Sequence, residues 1–86
     1  MKYGDILFKG TRDGLILVIP EEGQIEMIEE LLRAKLSRAN NFFAGARATL
    51  DFGRRRVDEA SLRSICRTVG GYGLKVVKAI GPFGAM

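Results

Sequence analysis

Hydrophobic and polar positions along the chain fall into a succession of short periodic segments. Asp5-Ile6-Leu7-Phe8-Lys9-Gly10 predicts a first strand, and Leu15-Ile16-Leu17-Val18-Ile19, apolar on both sides, predicts a central second one. Arg12-Asp13-Gly14-Leu15 supplies a turn between them, because Asp-Gly accepts the positive φ values of a tight hairpin. Pro20 ends the second strand, since proline cannot donate to a ladder. Ile25, Ile28, Leu32, Leu36 and Ala39 then recur at helical spacing, with Leu31 at the margin, and predict a helix from about Gln24 to Ala39. Acids lie in its first turns and Arg33, Lys35 and Arg38 in its last, as the helix dipole favours. Asn40 and Asn41 tolerate the left-handed geometry that closes helices.

The period changes in the middle of the chain. Phe42 and Phe43 follow the asparagines as a hydrophobic plug expected in the core beneath the sheet. From Arg47 the chain alternates. Arg47, Thr49 and Asp51 fall on one side of a predicted strand, and Ala48, Leu50 and Phe52 on the other. A basic loop, Gly53-Arg54-Arg55-Arg56, leads to Asp58, which is placed to N-cap a second helix running to about Val69. Leu62, Ile65, Cys66 and Val69 form the stripe of that helix, Gly70-Gly71-Tyr72-Gly73 closes it, and Leu74 to Ile80 is the last strand. Gly81-Pro82-Phe83-Gly84-Ala85-Met86 has the composition of a tail or the beginning of a linker.

The predicted order is β-β-α-β-α-β, an α/β fold with a small mixed sheet, an N-terminal hairpin and two helices packed on it. Both strand-helix-strand crossovers are expected to be parallel and right-handed. If successive strands are neighbours, both helices then cover the same face.

Composition narrows the function. Eighty-six residues, 47% hydrophobic and 28% charged, make one small soluble-type domain. The longest apolar run is far short of the roughly 18–20 residues a membrane span needs. The N-terminus lacks signal-peptide architecture, so a cytoplasmic chain is expected. With one cysteine, Cys66, and no histidine, an internal disulfide and the usual zinc sites are excluded, and the commonest general base is missing. Cys66 is expected as a buried structural thiol. The net charge of +4 is modest but unevenly spread. Glu21, Glu22, Glu26, Glu29 and Glu30 come early, and most of the arginines follow, a distribution suited to an acidic protein partner.

Candidate chemistry is sparse. Gly70-Gly71-Tyr72-Gly73 fails as a phosphate cradle because it closes a helix rather than opening one after a strand. Asp51 has no second acid or histidine beside it and reads as solvated or arginine-paired. No nucleophile–base pair has a recognisable spacing, so an enzyme is not expected, nor is a cofactor or a metal. Arg54, Arg55 and Arg56 read as solvated rather than as a nucleic-acid contact. Lys9-Gly10-Thr11-Arg12 places two cations around a glycine at the exposed end of a strand. An edge there either receives a partner by strand addition or is simply a charged edge.

Taken in order, several pieces resemble one family. They are Ile6-Leu7-Phe8-Lys9-Gly10, the apolar second strand, Leu32-Arg33-Ala34-Lys35-Leu36, and Phe42-Phe43-Ala44-Gly45-Ala46 leading into Ala48-Thr49-Leu50-Asp51-Phe52. Gly73-Leu74-Lys75-Val76-Val77 completes the set. Their order and spacing resemble the N-terminal domain of MinC, the septum site-determining cell-division inhibitor of bacteria, over about Ile6 to Ile80.

The resemblance implies a domain at residues 1–80 that binds FtsZ, the tubulin-like division protein, and antagonises its assembly. The family's Lys-Gly pair in the first strand maps onto Lys9 and Gly10; Arg12 joins them by proximity and charge alone. In the family a C-terminal β-helical domain dimerises and binds the membrane-associated ATPase MinD. Nothing in these residues matches that domain. Neither MinD binding, direct membrane binding nor obligate dimerisation is therefore expected here, and the domain should be a monomer or weak dimer. A rival is a signalling domain similar to anti-sigma-factor antagonists, with Ser61 as the phosphorylation site. Asp58 and Glu59 would repel a phosphate placed there.

Overall fold

A computed structural model of the chain describes residues 5–39 and 42–82. The predicted helix stop at Asn40 and Asn41 and the tail beyond Pro82 lie outside these residues. The elements are β1 (Leu7–Thr11), β2 (Gly14–Val18), α1 (Ile25–Ala39), β3 (Arg47–Asp51), α2 (Glu59–Gly71) and β4 (Lys75–Ile80). They form one mixed sheet in the order β1-β2-β3-β4. β1 and β2 are antiparallel, while β2–β3 and β3–β4 are parallel. The two crossovers step in the same direction along the sheet, so their shared hand puts both helices on one face.

Alternation in the strands supplies the other half of the core. Leu15 and Leu17 on β2, with Ile19 beyond it, are buried together with Ala48 and Leu50 on β3 and with Phe52. Ile28, Leu32 and Leu36 of α1 and Ile65 and Val69 of α2 close over them. Cys66 is half-buried against this cluster rather than fully inside it, and burial pushes its thiol pKa up, which leaves it a poor nucleophile.

The hairpin turn differs from the prediction. Its loop is Arg12-Asp13, and Gly14 is already the first residue of β2, paired with Thr11. Gly14 has φ +147°, and a Cβ there would collide with the backbone carbonyl of Arg47 on the neighbouring strand. Close approach of β3, more than the turn, requires glycine at this position. Gly14→Ala is expected to destabilise the domain by about 2 kcal/mol or more. That lowers Tm by roughly 8–16 °C, which a circular-dichroism melt would register.

Asp58 occupies the N-cap of α2 with extended backbone, but its side chain makes no cap hydrogen bond. The Ser61 hydroxyl is the main influence that holds its carboxyl pKa below the ordinary 3.8. A lowered folded-state pKa gives stability that is present above the unfolded value and lost as pH falls through the folded one. Denaturant titrations of wild type and Asp58→Asn should therefore differ most near neutral pH. The difference should shrink below about pH 4, where the unfolded carboxyl begins to bind protons. The effect is small because Asp58 is fully exposed.

α2 runs on to Gly71 and closes as the glycine run predicted, with the Tyr72 N–H donating to the Val69 carbonyl and the Gly73 N–H to that of Gly70. In β4 the register slips where Ala48 pairs with Val76 and Thr49 with Lys78, so Val77 is a bulged extra residue.

Candidate partner-binding surface

β1 lies at one edge of the sheet, and among the described residues no further strand pairs with it. Lys9, Gly10 and Arg12 are all exposed. Lys9 pairs with Ile16 and Gly10 with Leu15, so Lys9 projects on the open side of the sheet while Gly10 faces the helix side. These two neighbours share only the strand edge. A partner that touches both must therefore approach that edge, with Arg12 in the hairpin loop at its end. A Cβ built on Gly10 meets nothing within 4 Å, so the helix-side face of the strand is uncovered at this residue.

Beside this edge is a feature that sequence periodicity missed. Phe43 is half-buried and packs edge-on against Phe8 of β1, with ring centroids 5.5 Å apart. Phe42, expected in the core, is instead 80% exposed, its ring 4.9 Å from Phe43 and nearly perpendicular to it. Residues 42–45 form a turn, and a turn sends adjacent side chains in different directions without obeying a strand or helix period. Lys35 reaches from α1 to within 5.5 Å of the Phe8 ring centroid and 3.5 Å of the Asp5 carboxylate. Phe8, Phe43, Lys35 and Arg38 thus line a groove of about 420 Å³ along β1. The sequence signal was weak: Lys35 adjoins Leu36 of the buried helical stripe and so must lie near the margin of the covered face.

The basic loop has a structural role at the opposite end of the strands. Arg55 is half-buried, donating from Nε to the Pro20 carbonyl at 2.8 Å and from Nη2 to the Gly23 carbonyl at 2.7 Å. The Arg54 N–H donates to Glu21 at 2.9 Å. Asp51, expected as solvated or arginine-paired, accepts the Gly53 N–H at 3.0 Å. The Arg54 and Arg55 bonds latch the β3–α2 loop to the β2–α1 loop. Arg55→Met, which keeps the stem and deletes both bonds, is expected to cost about 1–2 kcal/mol in a urea titration.

Among the described residues, no group of three or more His, Cys, Asp or Glu side chains is arranged to hold a metal ion. No helix among them is long and apolar enough to cross a membrane. Fold and surface define a two-layer α/β domain, with helices on one sheet face and, among the described residues, a bare opposite face and a basic edge strand that pairs on one side only.

The chain belongs to the family described as the septum formation inhibitor MinC, N-terminal domain, which it matches over residues 6–76. Its relatives include proteins named "Probable septum site-determining protein MinC". That of Symbiobacterium thermophilum is 33% identical over 66 residues, covering 76% of this chain and 29% of the relative. That of Pelotomaculum thermopropionicum is 32% identical over 68 residues, covering 76% and 31%. That of Heliobacterium modesticaldum is 28% identical over 74 residues, covering 86% and 26%. The chain thus spans less than a third of the length of these relatives. No solved structure matches it significantly.

Proposed function

We propose that this domain inhibits cell division by binding FtsZ through the β1 edge at Lys9, Gly10 and Arg12 and weakening its polymers. The observation that carries the proposal is a basic, glycine-containing edge strand, paired on one side only among the described residues, in a member of the MinC N-terminal family. The unpaired amides and carbonyls of β1 supply main-chain hydrogen bonds to an incoming segment. Lys9 and Arg12 steer an acidic partner surface towards the edge and disfavour basic ones. Binding alone suffices for this role, so it uses no catalytic group and no cofactor. The domain works in the cytoplasm, and contact with MinD and the membrane belongs to the family's C-terminal domain.

Sedimentation of FtsZ polymers with and without the domain tests the proposal. Less FtsZ should pellet as the domain is added. Unchanged pelleting at several-fold excess of the domain would refute it.

A further inference from the structure

One bond fixes the backbone direction along the hairpin. The Ile19 N–H donates to the Asp51 carbonyl of β3, so by alternation Leu15 and Leu17 also turn their main-chain groups towards β3. Gly14, Ile16 and Val18 then turn theirs towards β1 and bond their partners Thr11, Lys9 and Leu7. Phe8 and Gly10, which lie between those residues, direct N–H and C=O away from the sheet, where no further strand pairs with β1 among the described residues. The Ile6 N–H, two residues earlier, is taken by the Asp5 carboxylate at 2.8 Å. The open main-chain groups of β1 are therefore those of Phe8 and Gly10.

These groups border the groove lined by Phe8, Phe43, Lys35 and Arg38. A strand added here projects alternate side chains into the groove and the others beside Lys9 on the open sheet face. The apolar part of the groove is aromatic, and Phe42, packed on Phe43 and 80% exposed, lengthens it. Two cations and no acid line the groove. Asp5 engages Lys35, but Arg38 makes no ion pair among the described residues. Its neighbours one turn back on α1, Ala34 and Lys35, include no acid either. Lys9 is likewise without an ion pair among the described residues.

We infer that the β1 edge and this groove form one peptide site, whose occupant is an extended acidic segment carrying a large apolar side chain. The segment adds to β1 through the main-chain groups of Phe8 and Gly10. Its apolar side chain enters the groove against Phe8 and Phe43, with Phe42 at the rim. The next residue, on the other face, is an acid that meets Lys9. The one after that, back on the groove side, is an acid that meets Arg38. Charge disfavours a second copy as occupant, because two paired β1 edges would set Lys9, Lys35 and Arg38 against a second set of cations. This inference rests on the reading of β1 as the partner edge, and adds the conformation and side-chain pattern of what binds there.

A synthetic peptide, Thr-Val-Glu-Glu-Phe-Glu-Glu-Val-Thr, has the required pattern in both chain directions. It would be titrated to about 1 mM into the isotope-labelled 86-residue chain and followed by NMR. Binding should saturate. The Phe8 and Gly10 amides should then exchange with solvent about ten-fold more slowly, while the Lys9 amide, already bonded to β2, changes little. Arg38→Glu and Phe42→Ala should each weaken binding about five-fold or more, with melts shifted by only a few degrees. A peptide with lysine in place of each glutamate should not bind. No binding by the acidic peptide, equal binding by the lysine peptide, or binding that leaves Phe8 and Gly10 exchange unchanged would each overturn the inference. If FtsZ pelleting is inhibited while the peptide fails, the strand-addition mode falls and the partner reading stands. If the peptide binds as described and pelleting is unchanged, the site stands and FtsZ is not its occupant.

Discussion

Phe52→Ala is expected to bring the domain to the edge of unfolding. The ring is fully buried, and the residue is anchored by its N–H, which donates to the Ile80 carbonyl at 2.8 Å. Truncating a buried phenylalanine removes its transfer free energy and leaves a cavity that neighbours fill only partly, at a cost of about 3–5 kcal/mol. A chain of this length has a total stability of only about 4–13 kcal/mol. The urea midpoint should therefore fall by roughly a quarter or more, and at the low end of that stability range the variant would be unfolded in buffer. Phe42→Ala is the matched comparison. With its ring 80% exposed, that substitution should change stability by no more than about 0.5 kcal/mol. Equal losses for the two variants would contradict the placement of both rings.

The contrast between Phe52 and Phe42 marks where periodicity informs and where it is silent. Phe52 continues an alternation that starts at Arg47, so its inward direction follows from the pleat. Phe42 lies in a turn, where neighbouring side chains obey no repeat. The strand order and the shared face of the helices were legible because two parallel crossovers of fixed hand leave few alternatives. The partners of Arg55 were not, since the carbonyls it holds lie 35 and 32 residues away in sequence and no local spacing announces them. The candidate site was half legible. The exposed strand end at Lys9 and Gly10 follows from the pattern, and the opposite facing of the two residues follows from a period of two. The groove of Phe8, Phe43 and Lys35 beside them depends on tertiary packing of α1 against β1. The place of Lys78 on the open face, opposite Thr49, likewise depends on a bulge in β4 that composition does not signal.

Gly10→Asp should abolish inhibition of FtsZ assembly and leave the fold intact. Gly10 does not adopt a positive φ, and a side chain added there meets nothing within 4 Å. Its fold penalty is therefore limited to the low strand preference of aspartate, up to about 1 kcal/mol. The binding penalty is of another order. The new carboxylate sits on the partner-facing edge between Lys9 and Arg12, offsets their charge, and repels the acidic surface they are proposed to steer. In the FtsZ pelleting assay this variant should leave polymer at its uninhibited level, while its circular-dichroism melt shifts by only a few degrees. Gly10→Ala separates two physical causes. If charge dominates, alanine retains most of the inhibition. If the partner instead packs against the helix-side face of the strand at Gly10, alanine loses it as well, because its methyl group projects from that face. Full inhibition by a folded Gly10→Asp would move the binding surface away from the β1 edge altogether.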